Sequence, residues 1–323
     1  ISMLPSEPKI FHGRETELSE ILGSFSQGTP RIAILGAGGI GKTTLARAVI
    51  HHTEIVSKYV QHRHFIPCHS VANKLELAAL IGDHLGLKPA KDPMSTLVCH
   101  FANSPPSLLV LDNLETVWEP AESRQEIEEL LSLLTEVAHL AMVITMRGAE
   151  RPIKVRWSRP FLLPLQCLDQ DAAQRMFLDI ADDVHDPVEV DKILSLTDNM
   201  PLAIHLLAHL VDSEGCPNVL LSWKAEKTSL ISDGYDKRSN LELSIALSLS
   251  SPRLALLPQS KDLLSLLSML PDGLSDVDLM QSKLPINDVL GCKATLIRTS
   301  LAYNDEKKHL KVLMPIREYM QKI

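Results

Sequence analysis

The feature that most constrains this chain is a glycine-rich loop set between a strand-like run and a helix-like run. After Arg31–Leu35 (RIAIL) come Gly36, Ala37, Gly38, Gly39, Ile40, Gly41, Lys42 and Thr43, a full G-x-x-x-x-G-K-[ST] match, followed by the helical text Thr44-Leu45-Ala46-Arg47. Glycines at this spacing let successive backbone N–H groups turn toward one anion, and the helix N-terminus adds a favourable dipole. The pattern predicts a phosphate cradle built from Gly36, Gly38, Gly39, Ile40, Gly41, Lys42, Thr43 and Thr44. Lys42 is placed to neutralise β- and γ-phosphates, and the Thr43 hydroxyl to ligate Mg²⁺.

The surrounding text supports an α/β domain with a parallel sheet flanked by helices. Short apolar runs at Arg31–Leu35, His64–Cys68, Ser107–Asp112, Ala141–Thr145 and Phe161–Leu165 alternate with helical stretches at Lys42–His52, Lys74–Leu85, Ser95–Ala102 and Ser123–Ala138. Beyond Leu168 the strand signal stops, and helices are expected at Asp171–Asp182, Val188–Leu196, Pro201–Val211 and Val219–Glu226. The polar stretch Ser232–Asn240 reads as a linker. After it come about four helices and two short strand-like runs, Leu301–Tyr303 and His309–Leu313, the pattern of a winged helix. The expected division is therefore a nucleotide-binding α/β domain over 1–160, an all-helical domain over 161–235 and a winged-helix domain over 236–323.

A second metal ligand is expected at the end of a neighbouring strand. Leu108-Leu109-Val110-Leu111-Asp112 supplies one, so Asp112 is assigned to Mg²⁺ through water. Hydrolysis also needs a group that orients or deprotonates water, and many ATPases place a carboxylate directly after that Asp; here the residue is the amide Asn113. Glu115 lies within reach along the chain and is read as a surface-loop residue. The fourth strand ends Ile144-Thr145-Met146-Arg147, which puts the Thr145 hydroxyl and the Arg147 guanidinium beside the nucleotide at the carboxyl end of the sheet, with Arg147 as a γ-phosphate sensor.

Composition narrows the partners. A formal net charge of −8 argues against a polyanion as main partner, because phosphate contacts need a basic surface. Within Leu241–Ile323, ten Lys or Arg face nine Asp or Glu, a net of +1, which is too balanced for a strong DNA footprint. The five cysteines include no C-x-x-C pair, so a reducing, cytoplasmic setting is expected rather than a disulfide framework. No apolar run reaches the ~18 residues of a membrane span. The start at Ile1, without Met, is read as the beginning of an excised fragment. His62 and His64 fall on one face of a strand, read as solvated or at a sheet edge, and their spacing matches no zinc pattern.

The order of these pieces resembles the NB-ARC branch of the STAND NTPases, the switches of apoptotic-protease activators, plant resistance proteins and fungal NLR-like proteins. The resemblance rests on five segments in order: Phe11-His12-Gly13-Arg14-Glu15-Thr16-Glu17-Leu18, the GAGGIGKTTLA loop, LLVLDN, ITMR, and Asn199-Met200-Pro201-Leu202-Ala203. By similarity, His12 and Arg14 would flank an adenine and Pro201 would press on it. ADP would be held at rest, and exchange for ATP, with Mg²⁺, would open the module to form a homo-oligomer with slow hydrolysis. The resemblance further implies a fungal protein of innate immunity or programmed cell death, with an N-terminal effector and a C-terminal sensor domain outside this chain.

Three positions depart from the family pattern. Asn199 stands where Gly is usual, Asn113 replaces a second Asp, and Leu313-Met314-Pro315-Ile316-Arg317-Glu318 lacks the histidine of the family's M-H-D motif, with Arg317 as a substitute phosphate contact. The competing functions are an actively cycling ATPase using Glu115 or a partner's group, and an ATP-dependent DNA-binding protein.

Overall fold

The computed structural model describes residues 4–182, 185–226, 241–282, 284–305 and 307–323. The linker expected at Ser232–Asn240 lies outside the described residues. By their contacts the residues form two compact units: 1–35 with 42–164, and 36–41 with 165–323.

The first unit begins with α1 (Glu15–Gln27), followed by β1 (Arg31–Gly36), α2 (Lys42–His51), α3 (Thr53–Tyr59) and β2 (Arg63–Pro67). Then come α4 (Lys74–His84), α5 (Pro93–Ala102), β3 (Ser107–Asp112), α6 (Glu115–Trp118), α7 (Ala121–Glu136) and β4 (Leu140–Arg147). The strands form one sheet in the order β1-β4-β3-β2, with β2–β3 and β3–β4 parallel and Val110 opposite both Phe65 and Val143. Every residue of β3 is buried, as expected of a central strand covered on both faces. Successive side chains of a strand alternate between faces. Leu109, Leu111, Met142 and Ile144 accordingly join the apolar side chains of α4, α5 and α7 in one core.

The helix starts follow local chemistry. Asn73 accepts from the Glu76 N–H at the head of α4, and Asp92 accepts from Ser95 N–H at the head of α5, where Pro93 occupies the first turn.

The fifth expected strand, Phe161–Leu165, does not form. It makes a single parallel bridge, Leu165 with Gly36. Pro160 and Pro164 each fix φ and lack an amide donor. Burial falls on Leu162 and Leu165, three residues apart, while Phe161 and Leu163 are exposed, so the alternation a strand requires is absent.

Of the two readings of the β2 histidine face, solvated or at a sheet edge, the edge is the one found: β2 ends the sheet order, but His64 is not solvated. His64 is half-buried, edge-on to His84 at 5.7 Å and to Phe101 at 6.2 Å between ring centroids. Burial, then the neighbouring His84, His62 and His100, push the His64 imidazole down to about 4. In the unfolded chain this group gains its proton near pH 6.5, whereas in the folded protein it stays neutral until about pH 4. Stability is therefore expected to fall as pH drops from 6.5 to 4. The urea midpoint should decrease across that window, and the decrease should shrink in His64→Phe; an equal slope in the variant would reject His64 as the source.

The second unit is helical: α8 (Gln170–Ala181), α9 (Pro187–Thr197), α10 (Pro201–Glu214), α11 (Cys216–Glu226), α12 (Leu241–Leu249), α13 (Pro252–Leu256), α14 (Gln259–Ser268), α15 (Asp276–Gln281) and α16 (Val289–Arg298). A two-stranded antiparallel pair, β5 (Tyr303–Asn304) with β6 (Leu310–Lys311), precedes α17 (Met314–Lys322). Leu274 extends this pair by bridging to Leu310. Gly273 permits that approach: its φ is +72°, and a Cβ there would lie 2.4 Å from the Leu310 carbonyl oxygen. Phe177, Ile193, Leu207, Leu263, Leu296 and Leu310 belong to one apolar core.

Candidate functional site

Within the first unit, the ends of three elements bring the chemistry together. The start of α2 supplies Lys42 and Thr43, β3 ends at Asp112, and β4 carries Thr145 and Arg147. Asp112 is 1% exposed, and its Oδ1 accepts from both hydroxyls, Thr43 Oγ1 at 2.8 Å and Thr145 Oγ1 at 2.6 Å. The Thr145 oxygen accepts in turn from the Asn113 N–H at 3.0 Å. Asn113 reaches that position at φ +58°, a left-handed conformation that Asn tolerates better than most residues. Its role is thus geometric, since it points a peptide N–H at the hydroxyl that orients Asp112.

The other carboxylate oxygen, Asp112 Oδ2, is buried without a hydrogen-bond partner among the described residues. A buried carboxylate oxygen left over beside a threonine hydroxyl is a hard, anionic donor set of the kind Mg²⁺ takes. Thr43 and Asp112 therefore fit the ion that the phosphate motif implies and would hold it, where it would supply positive charge against phosphate.

Glu115 contradicts its reading as a surface-loop residue. It is 8% exposed, its Oε1 lies 3.3 Å from Arg147 Nε, and its Oε2 is buried with no hydrogen-bond partner among the described residues. The sequence could not show this, because the partner that draws Glu115 inward comes from the end of β4. The sequence places the Thr145 hydroxyl at the same end of the sheet but gives it no partner; its bond to Asp112 Oδ1 is what the structure adds.

Lys42 is 6% exposed and feels all of these groups. Burial, then the positive charge of Arg147, push its ammonium down to about 8, against the opposing pull of Glu115 and Asp112. Above pH 8 the free protein therefore holds Lys42 largely neutral. Bound phosphates favour the ammonium form and raise its pKa, so nucleotide binding is expected to take up protons at pH 9, and affinity to fall between pH 7.5 and 9.5. Calorimetry in buffers of different ionisation enthalpy measures this; no proton uptake would remove Lys42 as the linked group.

His12 is half-buried ahead of α1, while Arg14 is buried and its Nη1 donates to Glu17 Oε1 at 2.9 Å. Thr44 is half-buried in the first turn of α2.

In the second unit, residues 36–41 pack against the entry to α10. Gly39 has φ +78°, its carbonyl accepts from Leu202 N–H at 3.1 Å, and a Cβ there would sit 2.8 Å from Leu202 Cβ. Gly41 has φ +95°, Gly38 and Ile40 are buried, and a Cβ on Gly36 would come within 3.1 Å of the Leu165 carbonyl oxygen. The loop thus needs glycine both for dihedral freedom and for close approach. Pro201 opens α10 in its first turn, and Asn199 at φ +55° adopts the left-handed turn that explains how Asn replaces Gly there. Arg317 Nε donates to the Ser268 carbonyl at 3.3 Å, and its charge is felt by Asp198, whose carboxylate accepts from Met314 N–H.

A parallel sheet with this loop between β1 and α2, a Thr–Asp pair for a metal and a buried lysine define a P-loop NTPase. Residues 3–151, just under half of the chain, match the sequence model of a family described as Novel STAND NTPase 1. Over that region the chain is similar to the STAND-class P-loop NTPases, which supports a nucleotide-binding protein. No curated protein sequence matches the chain significantly.

Among solved structures, a Walker-type ATPase of Pyrococcus abyssi superposes with a TM-score of 0.63 at 12% identity, over 99% of this chain and 99% of its own. Cdc6p of Pyrobaculum aerophilum gives 0.56 at 15%, over 98% and 96%. A Drosophila ORC chain, from a structure bound to DNA, gives 0.53 at 13%, over 99% and 89%. At these identities the likeness is one of fold. No helix among the described residues is long and apolar enough to cross a membrane.

Proposed function

We propose that this chain is the nucleotide-controlled switch of a signalling protein of the NB-ARC, NLR-like kind. It holds ADP at rest, opens to form a homo-oligomer when ATP and Mg²⁺ replace it, and hydrolyses ATP slowly. The observation that carries this reading is the pairing of a complete phosphate and metal apparatus with a neutral Asn113 and with a carboxylate, Glu115, already engaged by Arg147. A site built to bind but short of a free base retains its triphosphate, which is what a switch requires.

In this reading the loop 36–41 and Lys42 cradle the phosphates, and Thr43 with Asp112 holds Mg²⁺. Arg147 senses the γ-phosphate, while His12, Arg14 and Pro201 receive the adenine. Arg317 stands in for the absent M-H-D histidine. Helices followed by the β5–β6 pair support a winged-helix domain over 236–323, preceded by an all-helical domain over 161–235. Effector and sensor domains outside this chain, a cytoplasmic setting, a fungal source and a role in innate immunity or programmed cell death follow from the same resemblance.

The experiment is to denature the purified protein and identify the nucleotide it releases, then to measure the mass in solution after exchange into ATP with Mg²⁺. About one ADP per chain and an ATP-dependent rise in mass support the switch. An empty protein that stays monomeric with ATP rejects it.

A second reading, an actively cycling ATPase, is favoured by the buried Glu115 Oε2, which has no hydrogen-bond partner among the described residues and lies within the same cluster as Lys42. Sustained multiple turnover by the isolated chain would establish it. The DNA-binding alternative gains only the fold it shares with the ORC chain, and the balanced charge of 241–323 counts against it.

A further inference from the structure

At the start of β1, the end opposite Lys42 along that strand, a cavity of about 250 Å³ opens between the second half of α1, the first residues of β1 and the segment 157–162. Arg31, Arg151 and Arg159 line it, against one carboxylate, Glu20. Among the described residues none of the four is ion-paired, so the lining carries a net charge of +2. Arg31 spends one nitrogen on the Thr135 carbonyl, but its Nε is buried with no hydrogen-bond partner among the described residues. Burial alone holds the Arg31 and Arg151 guanidiniums below their ordinary range. The Phe161 ring sits 4.2 Å from Arg151 and 5.3 Å from Arg159, keeping both cations beside the opening.

The peptide groups of β1 add to the site. Pro30 O accepts from Met142 N–H on β4, whereas Arg31 N–H donates to Ser158 Oγ and Arg31 O accepts from Ser158 N–H. Alternation along the strand turns the N–H and C=O of Ala33 to the same side as Ser158, the side of the cavity. The prolines that stop 161–165 from continuing as a strand leave this stretch of edge open.

Half-buried cations without counter-ions are costly, and a ligand carboxylate offsets that cost through paired, charge-assisted hydrogen bonds. The remaining lining is mixed: Ser24, Gln27 and Ser158 are polar, while Ile21, Ile32 and Trp157 form an apolar part that a bare inorganic anion would leave unfilled. The volume lies below the ~300 Å³ at which drug-sized sites begin. We propose that this cavity binds a small organic carboxylate, its head on Arg31 and Arg151 and its apolar body against Ile32 and Trp157. This site is separate from the nucleotide reading and does not depend on it.

The test is calorimetric titration of the full chain with benzoate and hexanoate, with inorganic phosphate at matched ionic strength as comparison. Saturable binding of at least one carboxylate is expected, at least tenfold weaker in Arg151→Gln. A second variant, Gly23→Leu, fills the cavity from α1, where an added Cβ meets nothing within 4 Å, and is expected to abolish the binding while keeping the melting temperature. Absence of saturable binding by both carboxylates, binding that survives both variants, or phosphate binding as tightly as the carboxylates would overturn the assignment.

Discussion

Lys42→Ala is expected to lower affinity for ADP and ATP by on the order of 10- to 100-fold without lowering the melting temperature of the nucleotide-free protein. The first half follows from removing a charge-assisted contact to phosphate, worth ~1.5–3 kcal/mol. The second follows from the sign of the Lys42 shift. Burial and Arg147 disfavour the ammonium by more than Asp112 and Glu115 favour it, so the fold itself gains nothing from that charge. A structural lysine would behave the other way, with its loss felt in the melting temperature and not in binding. Fluorescent-nucleotide titration alongside calorimetric melting separates the two; a variant that binds as wild type and melts lower would remove Lys42 from the phosphate site.

In the cycling-ATPase reading Glu115→Gln is expected to lower ATP turnover by about 100-fold while leaving ATP affinity unchanged, the loss typical of removing a positioned general base, whereas the switch reading, with Glu115 held by Arg147, expects the slow rate to stay as it is. Glu115 is the acidic side chain nearest along the chain after Asp112, and Asn113 cannot accept a proton. Its Oε1 faces Arg147 and its Oε2 is buried without a hydrogen-bond partner among the described residues, so one oxygen is restrained while the other remains able to take a proton from water. Single-turnover hydrolysis with ATP prebound is the direct measurement. An unchanged rate would leave Glu115 as no more than the counter-ion that positions Arg147, and the base would have to come from another copy or another protein.

Much of the first unit was legible because its strands are central and parallel. A strand covered on both faces is apolar at every position, so SLLVLD and AMVIT announce themselves without any partner in view. The short helices Thr53–Tyr59 and Glu115–Trp118 were not read, since one or two turns carry too little periodicity to show a face. Phe161–Leu165 was read as a strand on composition, but its bounding prolines and its three-residue burial spacing belong to an irregular segment. Glu115 was placed in solvent because an isolated acidic residue past a strand end normally is there; only Arg147, thirty-two positions later, reverses that.

By itself the sequence determined the phosphate-loop motif, the Thr43 and Asp112 candidates for a metal and the order of strand, loop and helix around them. Those follow from local rules: glycine's freedom at positive φ, the dipole of a helix start, and the unbroken apolar text of a buried strand. Tertiary structure decided which oxygen of Asp112 is left over, where Glu115 points, how far burial lowers the Lys42 and His64 protonation equilibria, and that three arginines surround one cavity. These depend on distances between groups far apart in the chain. Electrostatic energy and desolvation are functions of separation in space, which the order of residues does not contain.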